Sequence, residues 1–210
     1  MVSSLKQLDA FHLDLICEVA NIGAGHAATS LSQMLNHRID MAVPNVTIAS
    51  FSDILNVDDA DTPVAAIYLK VNGALTGHLF IMFHLDDLGT LMKPVLKDDG
   101  FQSDHLMENS LYVSVLGEIG NIMAGSYISA LSDFSGENSF LSPPIVCVDM
   151  KSAILSEGLL DLSMYDDSAM VINAVLTSGW TQKNINSAFT FLPEPQHLSA
   201  FIHLLEKTNG

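Results

Sequence analysis

The sequence is short of positive charge and of long apolar runs, and each shortage excludes a class of function. Lysine and arginine together number 8 against 24 aspartates and glutamates, so the formal net charge is −16. Nucleic-acid phosphates and anionic lipid surfaces repel a chain of this charge, and we expect neither as a partner. No apolar run reaches the roughly 18 residues of a membrane-spanning helix, so none is predicted.

Cysteine is also scarce, with Cys17 and Cys147 as the only two. The N-terminal residues lack the charged-then-apolar order of a secretory signal peptide. A disulfide between the two cysteines is compatible with the sequence, but nothing else indicates secretion. We therefore expect buried free thiols and a cytoplasmic protein.

What the chain does contain is enough apolar material for a sizeable core. Of its 210 residues, 49% are hydrophobic and 15% are charged. This balance is typical of a compact globular protein and argues against a disordered one. The length suits one large domain or two halves fused across a shared core.

The most informative feature is a stretch that occurs twice, at an offset of 100 residues. Glu18 and Asn21 recur in register as Glu118 and Asn121. Packing alone would preserve only apolar residues, so the repeated polar residues require a chemical explanation. The further matches are Ile22 with Ile122, Ala24 with Ala124, Gly25 with Gly125, Leu31 with Leu131, Ser32 with Ser132, and Pro44 with Pro144.

Apolar periodicity and turn residues predict the same order of elements in each half: a long helix, a strand, a pair of strands and a shorter helix. We expect the halves to share one sheet about a pseudo-two-fold axis, because each alone buries its apolar face poorly. The result is a single domain over 1–210, made of repeats at about 1–100 and 101–210. An acidic loop over 53–62 and a polar connection over 151–166 are also expected. The predicted helices span about 5–36, 85–96, 104–134 and 195–207, and the predicted strands span 45–50, 64–72, 77–84, 145–149, 169–176 and 186–192.

The repeated polar residues fall on one face of each long helix. At about 100° per residue, Asp14, Glu18, Asn21 and Gly25 lie within roughly a 60° arc, as do their counterparts in the second helix. Such a face contains no obvious nucleophile and no general base suited to neutral pH. An asparagine amide can nevertheless donate to and accept from one water, and so aim it at an electrophile. A carboxylate beside it can anchor a cation of a partner.

The reaction that best fits this face is hydrolysis of a phosphoryl group that another protein holds with its own metal. Phosphoryl transfer depends mostly on positioning and charge stabilisation. For one copy alone, an ordinary solvated helix face is the better interpretation, but two copies with matching prolines favour the functional one. Gly23 and Gly25 each cost the helix interior about 1 kcal/mol relative to alanine, which close approach of another backbone or of a partner would offset.

In this pattern the chain resembles the CheC family of chemotaxis response-regulator phosphatases. Both halves contain Asp or Ser, three residues, Glu, two residues, Asn, twenty-two residues and Pro. The run from Glu18 to Thr29 looks like the family's first helix, and the similarity covers essentially the whole chain. The resemblance implies an α/β (α+β) fold with a pseudo-two-fold repeat, in which long helices flank a shared, mostly antiparallel sheet.

The resemblance also implies a function. It is removal of phosphate from the aspartate of CheY-P, with magnesium supplied by CheY and no cofactor held by this chain. Asn21 and Asn121 would orient the attacking water, and Glu18 and Glu118 would pair with a CheY lysine. CheD is a further partner that the family suggests. The motif-supporting positions are Asp14, Ser114, Pro44, Pro144, Gly25 and Gly125.

Two alternatives belong to other classes of function. The first is a catalytically idle docking module that binds a response regulator or CheD without hydrolysis. The second, with less support, is a structural component of the flagellar motor. Because both Glu/Asn pairs are present, the sequence favours the phosphatase over either alternative.

Overall fold

The computed structural model of the chain describes residues 5, 8–164, 167–179, 184–195 and 197. The predicted C-terminal helix over 195–207 lies almost entirely outside these residues. The helices are α1 (Ala10–Leu35), α2 (Phe51–Leu55), α3 (Leu85–Leu96), α4 (Ser110–Ser135) and α5 (Lys151–Leu162), with a 3₁₀ turn at Ser103–His105. The strands are β1 (Ile39–Ser50), β2 (Pro63–Gly73), β3 (Gly77–His84), β4 (Ser139–Leu141), β5 (Ile145–Met150), β6 (Ser168–Ser178) and β7 (Asn184–Pro193).

All seven strands belong to one antiparallel sheet in which the two repeats exchange strands. The order is β1-β6-β7-β3-β2-β4, and β5 also pairs with β2. Strand β1 of the first repeat pairs with β6 of the second, and β4 and β5 of the second repeat pair with β2 of the first. The pair β3 and β7 joins the halves at the centre. The predicted fold class, an α/β (α+β) protein with a shared antiparallel sheet, is confirmed.

Helices cover both faces of the sheet and create two apolar layers. Buried residues of α1, α3 and α4 pack against one face in the larger cluster, and those of α2 and α5 pack against the other. The two long helices cross near a tight contact. A Cβ added to Gly23 would lie 2.7 Å from the Tyr127 ring, and the hydroxyls of Ser30 and Ser126 are 2.7 Å apart. Close packing between the helices therefore explains Gly23.

The ends of the long helices differ from the prediction because side chains cap the backbone there. The Asp9 carboxylate accepts from the His12 backbone N–H in a capping box, so α1 begins at Ala10 rather than near residue 5. The Asn109 side chain accepts from the Leu111 N–H, so α4 begins at Ser110 rather than at residue 104. Both helices end at a left-handed residue, Asn36 and Gly136, again 100 positions apart.

Three other predictions were wrong in detail. The polar connection over 151–166 is mostly the helix α5, whose residues Ile154, Leu155 and Leu159 are buried on the sheet. The first three residues of the predicted acidic loop over 53–62 belong to the short helix α2, which begins at Phe51. The strand expected at 45–50 begins earlier, at Ile39, and strand β4 was not predicted.

The cysteines are free, as expected, but both are half-buried rather than buried. Within the described residues, no helix is both long enough and apolar enough to cross a bilayer.

Candidate functional site

The predicted site residues lie on the solvent face of the two long helices. Asp14, Glu18, Asn21 and Gly25 are all exposed, while most of the apolar residues between them are buried; Ile22 is exposed. In α4, the equivalent Ser114, Glu118 and Asn121 are exposed and Gly125 is half-buried. The helical arc derived from the spacing is therefore an outward face in both copies.

The two faces lie at opposite edges of the sheet. Helix α1 packs beside the edge strand β1, and the Asn21 side chain contacts the backbone of Val43 in that strand. Helix α4 packs beside β4 and β5 at the far edge, where a Cβ on Gly117 would lie 3.7 Å from Pro144 and 3.6 Å from Val146.

In the first repeat the side-chain amide of Asn21 makes three hydrogen bonds to backbone groups of the chain. Its Nδ2 donates to the Val43 carbonyl oxygen at 2.9 Å and to the Cys17 carbonyl oxygen at 3.0 Å. Its Oδ1 accepts from the Val43 backbone N–H at 2.8 Å. Both amide hydrogens are thus used, and one lone pair of Oδ1 is left.

The local course of β1 explains why Val43 takes these bonds. The pairing between β1 and β6 shifts register between Ala42 and Asn45, which leaves Val43 and Pro44 outside the regular ladder. Pro44 has no N–H to donate, and the unpaired backbone groups of Val43 require other partners. Asn21 supplies both a donor and an acceptor, so it acts as a clamp on the bulge that precedes Pro44.

Cys17 completes the clamp from the preceding turn of α1. Its Sγ lies 3.5 Å from the Val43 carbonyl oxygen and 3.7 Å from Asn21 Nδ2. Partial burial, and then the negative charge of Asp14, raise the pKa of the Cys17 thiol. The sulfur therefore keeps its proton at neutral pH and can donate it to the Val43 carbonyl.

In the second repeat the equivalent amide is free. The Asn121 side chain makes no hydrogen bond to any residue that the structure describes. The residue equivalent to Val43 is Pro143, which has no backbone N–H for Oδ1 to accept. The residue equivalent to Cys17 is Gly117, which has no side chain to hold the strand. Asn121 therefore keeps its donors and its acceptor for a bound molecule.

Each face also carries one exposed glutamate carboxylate. Glu18 and Glu118 are exposed, and neither forms an ion pair with another described residue. Each lies three positions before its asparagine, which places the two side chains side by side on the helix. Such a pair can attract a cationic side chain of a partner while the amide reaches past it.

Sequence reasoning identified the residues of both faces but missed the difference between them. The signal was present in the sequence, because Val43-Pro44 aligns with Pro143-Pro144. Replacing one residue with proline removes one N–H, and that N–H is what holds Oδ1 of Asn21.

Comparison with known proteins identifies a matching protein family and a similar protein of that family. Residues 11–48 and 113–147, which contain both faces, match the CheC-like family. The CheY-P phosphatase CheC of Bacillus subtilis is 36% identical over 183 residues, covering 87% of this chain and 88% of that protein.

Two solved structures share the fold. FliY of Thermotoga maritima superposes with a TM-score of 0.76 at 18% identity, over 96% of this chain and 99% of that one. CheX in a complex of CheX, CheY, BeF3 and magnesium from Borrelia burgdorferi superposes with a TM-score of 0.53 at 13% identity, over 82% and 96% of the two chains.

Proposed function

The chain belongs to the CheC-like family, and from that premise we propose that it is a phosphatase acting on the aspartyl phosphate of a CheY-like response regulator. The observation that carries the proposal is the free, exposed amide of Asn121 beside Glu118 on α4. The similarity to the CheY-P phosphatase CheC supports the same substrate class.

In the proposed reaction, Asn121 positions the nucleophile. Its Oδ1 accepts a hydrogen bond from a water and its Nδ2 donates one, which fixes the direction of the water's lone pair. The water oxygen forms a bond to phosphorus while the bond from phosphorus to the aspartate oxygen breaks. The aspartate leaves as a carboxylate, and the proton of the water ends on the phosphate that is released.

Glu118 orients the regulator rather than taking part in bond breaking. Its carboxylate is exposed and can pair with a lysine of the regulator, which would fix α4 over the phosphorylated aspartate. We propose that magnesium is held by the regulator and that this chain contributes no ligand to it. CheX, which shares the fold, is found in a complex with CheY, BeF3 and magnesium.

The two repeats should contribute unequally to the phosphatase activity. Asn21 would have to leave the Val43 backbone before it could donate to a water, and Asn121 would not. Each net hydrogen bond is worth about 0.5–1.5 kcal/mol, so releasing two of them lowers the reactive population by roughly one to two orders of magnitude. The second repeat therefore carries most of the activity.

The direct test is phosphate release from phosphorylated response regulators, measured with and without the protein. We expect a faster release for a cognate CheY-like regulator and none for the double variant Asn21→Ala/Asn121→Ala beyond the regulator's own rate. Full activity in that variant would contradict the mechanism.

Binding without faster release would instead support the idle docking module. Binding of CheD stays a prediction from the family resemblance, and adding CheD to the same assay tests it.

A further inference from the structure

The glycines inside the two long helices fall into two kinds. Gly23 and Gly120 are explained by packing, because an added Cβ would lie 2.7 Å from the Tyr127 ring in one case and 2.5 Å from Ile67 in the other. Gly25 and Gly125 are different. A Cβ at either position meets no atom of the described chain within 4 Å.

Neither the backbone nor the fold therefore requires glycine at positions 25 and 125. Both lie inside α-helices, and neither has a positive φ angle. Glycine weakens a helix interior relative to alanine, so each of the two glycines lowers stability without a compensating contact among the described residues. The two glycines are equivalent in the repeat, which argues against chance at one position.

Both glycines lie one helical turn beyond an asparagine of the proposed site. Residues four apart face the same side of a helix, so Gly25 follows Asn21, and Gly125 follows Asn121, on the outward face. Gly25 also lines an open depression of about 690 Å³ with Thr29, Gln33 and Met41. The space over the glycine is thus accessible to a molecule outside the chain.

We propose that Gly25 and Gly125 are docking positions at which the main chain of the bound response regulator packs directly on the helix backbone. This inference rests on the proposed function, because the regulator is the occupant. A glycine Cα offers a C–H group to a main-chain carbonyl oxygen, and it leaves the oxygen room to approach. In the second repeat, Gly125 then sets how deeply Asn121 reaches toward the acyl phosphate.

The effect of a methyl group at Gly125 follows from this geometry. A Cβ would hold the regulator away from α4 by about the length of one carbon–carbon bond, and an error of about 1 Å in a positioned water can cost roughly 100-fold in rate. The same methyl group would improve the helix. Activity and stability should therefore change in opposite directions, which a purely structural role of the glycine does not produce.

The experiment compares Gly125→Ala with the wild type and with Gly89→Ala, a glycine inside the different helix α3 where an added Cβ would lie 3.5 Å or more from its neighbours. We expect Gly125→Ala to raise Tm by roughly 2–4 °C and to lower phosphate release by roughly 10- to 100-fold. Gly25→Ala should raise Tm similarly with a smaller loss of activity. Gly89→Ala should leave phosphate release unchanged, because α3 carries neither face, while it removes the same helix-interior glycine penalty.

The result that overturns the inference is a Gly125→Ala variant with wild-type phosphate release and wild-type affinity for the regulator. If the wild type binds the phosphorylated regulator without releasing phosphate, the phosphatase proposal fails by itself. The glycine inference is then decided by the affinity of Gly25→Ala/Gly125→Ala. A Kd weakened at least about tenfold supports it, and an unchanged Kd overturns it.

Discussion

Asn21 and Asn121 occupy equivalent positions on α1 and α4, yet one amide holds a strand and the other is free. The difference arises 22 positions further along the chain, where Val43 has a backbone N–H and Pro143 does not. The comparison teaches that a matching motif identifies residues able to act but not which copy is ready to act. The neighbours that a motif leaves unspecified decide that.

The largest expected effect is on activity, which the Asn121 substitution should lower more than the Asn21 substitution. Asn121→Ala should lower phosphate release from a phosphorylated regulator by roughly 10- to 100-fold, because the first site remains with a reactive population one to two orders of magnitude lower. Asn21→Ala should leave most of the activity, because the second site persists. Equal losses in the two single variants would show that the Val43 clamp does not restrain the first site.

The second prediction concerns stability, which the Asn21 substitution should lower more than the Asn121 substitution. Asn21→Ala leaves the N–H of the buried Val43 without a partner and its carbonyl with only the Cys17 thiol, so the free energy of unfolding should fall by about 1–3 kcal/mol. Asn121→Ala loses no hydrogen bond and should stay within about 0.5 kcal/mol of the wild type. Urea unfolding of both variants measures the difference, and equal midpoints would contradict the clamp.

The third prediction transfers the clamp to the second repeat. Pro143→Val restores a backbone N–H opposite Asn121, and a hydrogen bond worth about 0.5–1.5 kcal/mol should then lower phosphate release roughly two- to tenfold. The matched control is Pro143→Ala, which restores the N–H with a smaller side chain and should lower activity to a similar extent. Unchanged activity in both variants would mean that the amide is free for another reason.

The smallest expected effect concerns the short helices, which also differ between repeats. At the start of α5, Lys151 donates to both oxygens of Asp59 at 2.8 Å, and the equivalent residue at the start of α2 is Phe51. Partial burial opposes ionisation of Asp59, but the hydrogen bonds and charge of Lys151 outweigh it and lower the pKa of that carboxyl.

A lowered carboxyl pKa gives a stability contribution that is present above the unfolded pKa, about 3.9, and is lost as the pH falls through the folded value. Asp59→Asn should therefore lower stability at neutral pH by less than about 1 kcal/mol, since the pair is partly exposed, and the deficit should shrink toward acid. Asp58→Asn, at an exposed neighbouring position, is the control. A deficit that does not change with pH would contradict the ion pair's role.

Much of the fold could be predicted because its periodicity is strong. The long helices have buried residues at helical spacing, and the strand pair β2 and β3 follows the predicted turn near Gly73. Helix α5 was missed because the polar residues Lys151, Ser152 and Glu157 interrupt its apolar pattern. The bulge at Val43 was missed because register depends on the partner strand, which lies far away in the sequence.

The outward face of each site was also predictable, because a helical arc follows from spacing alone. Its local environment was not. Whether an amide is free depends on a backbone group of another element, and no periodicity reports the position of that group. The proposed roles of Glu18, Asn21, Glu118 and Asn121 in catalysis stay predictions for the assays above.

The exchange of strands between the repeats also has a consequence for synthesis of the chain. Residue 45 of β1 pairs with residue 173 of β6, so the first edge of the sheet has no neighbour until most of the chain has left the ribosome. At roughly 5–20 residues per second, that edge waits on the order of ten seconds. During this interval β1 is an unpaired strand on a nascent chain, and Pro44 near its middle is a residue that discourages pairing with a wrong partner.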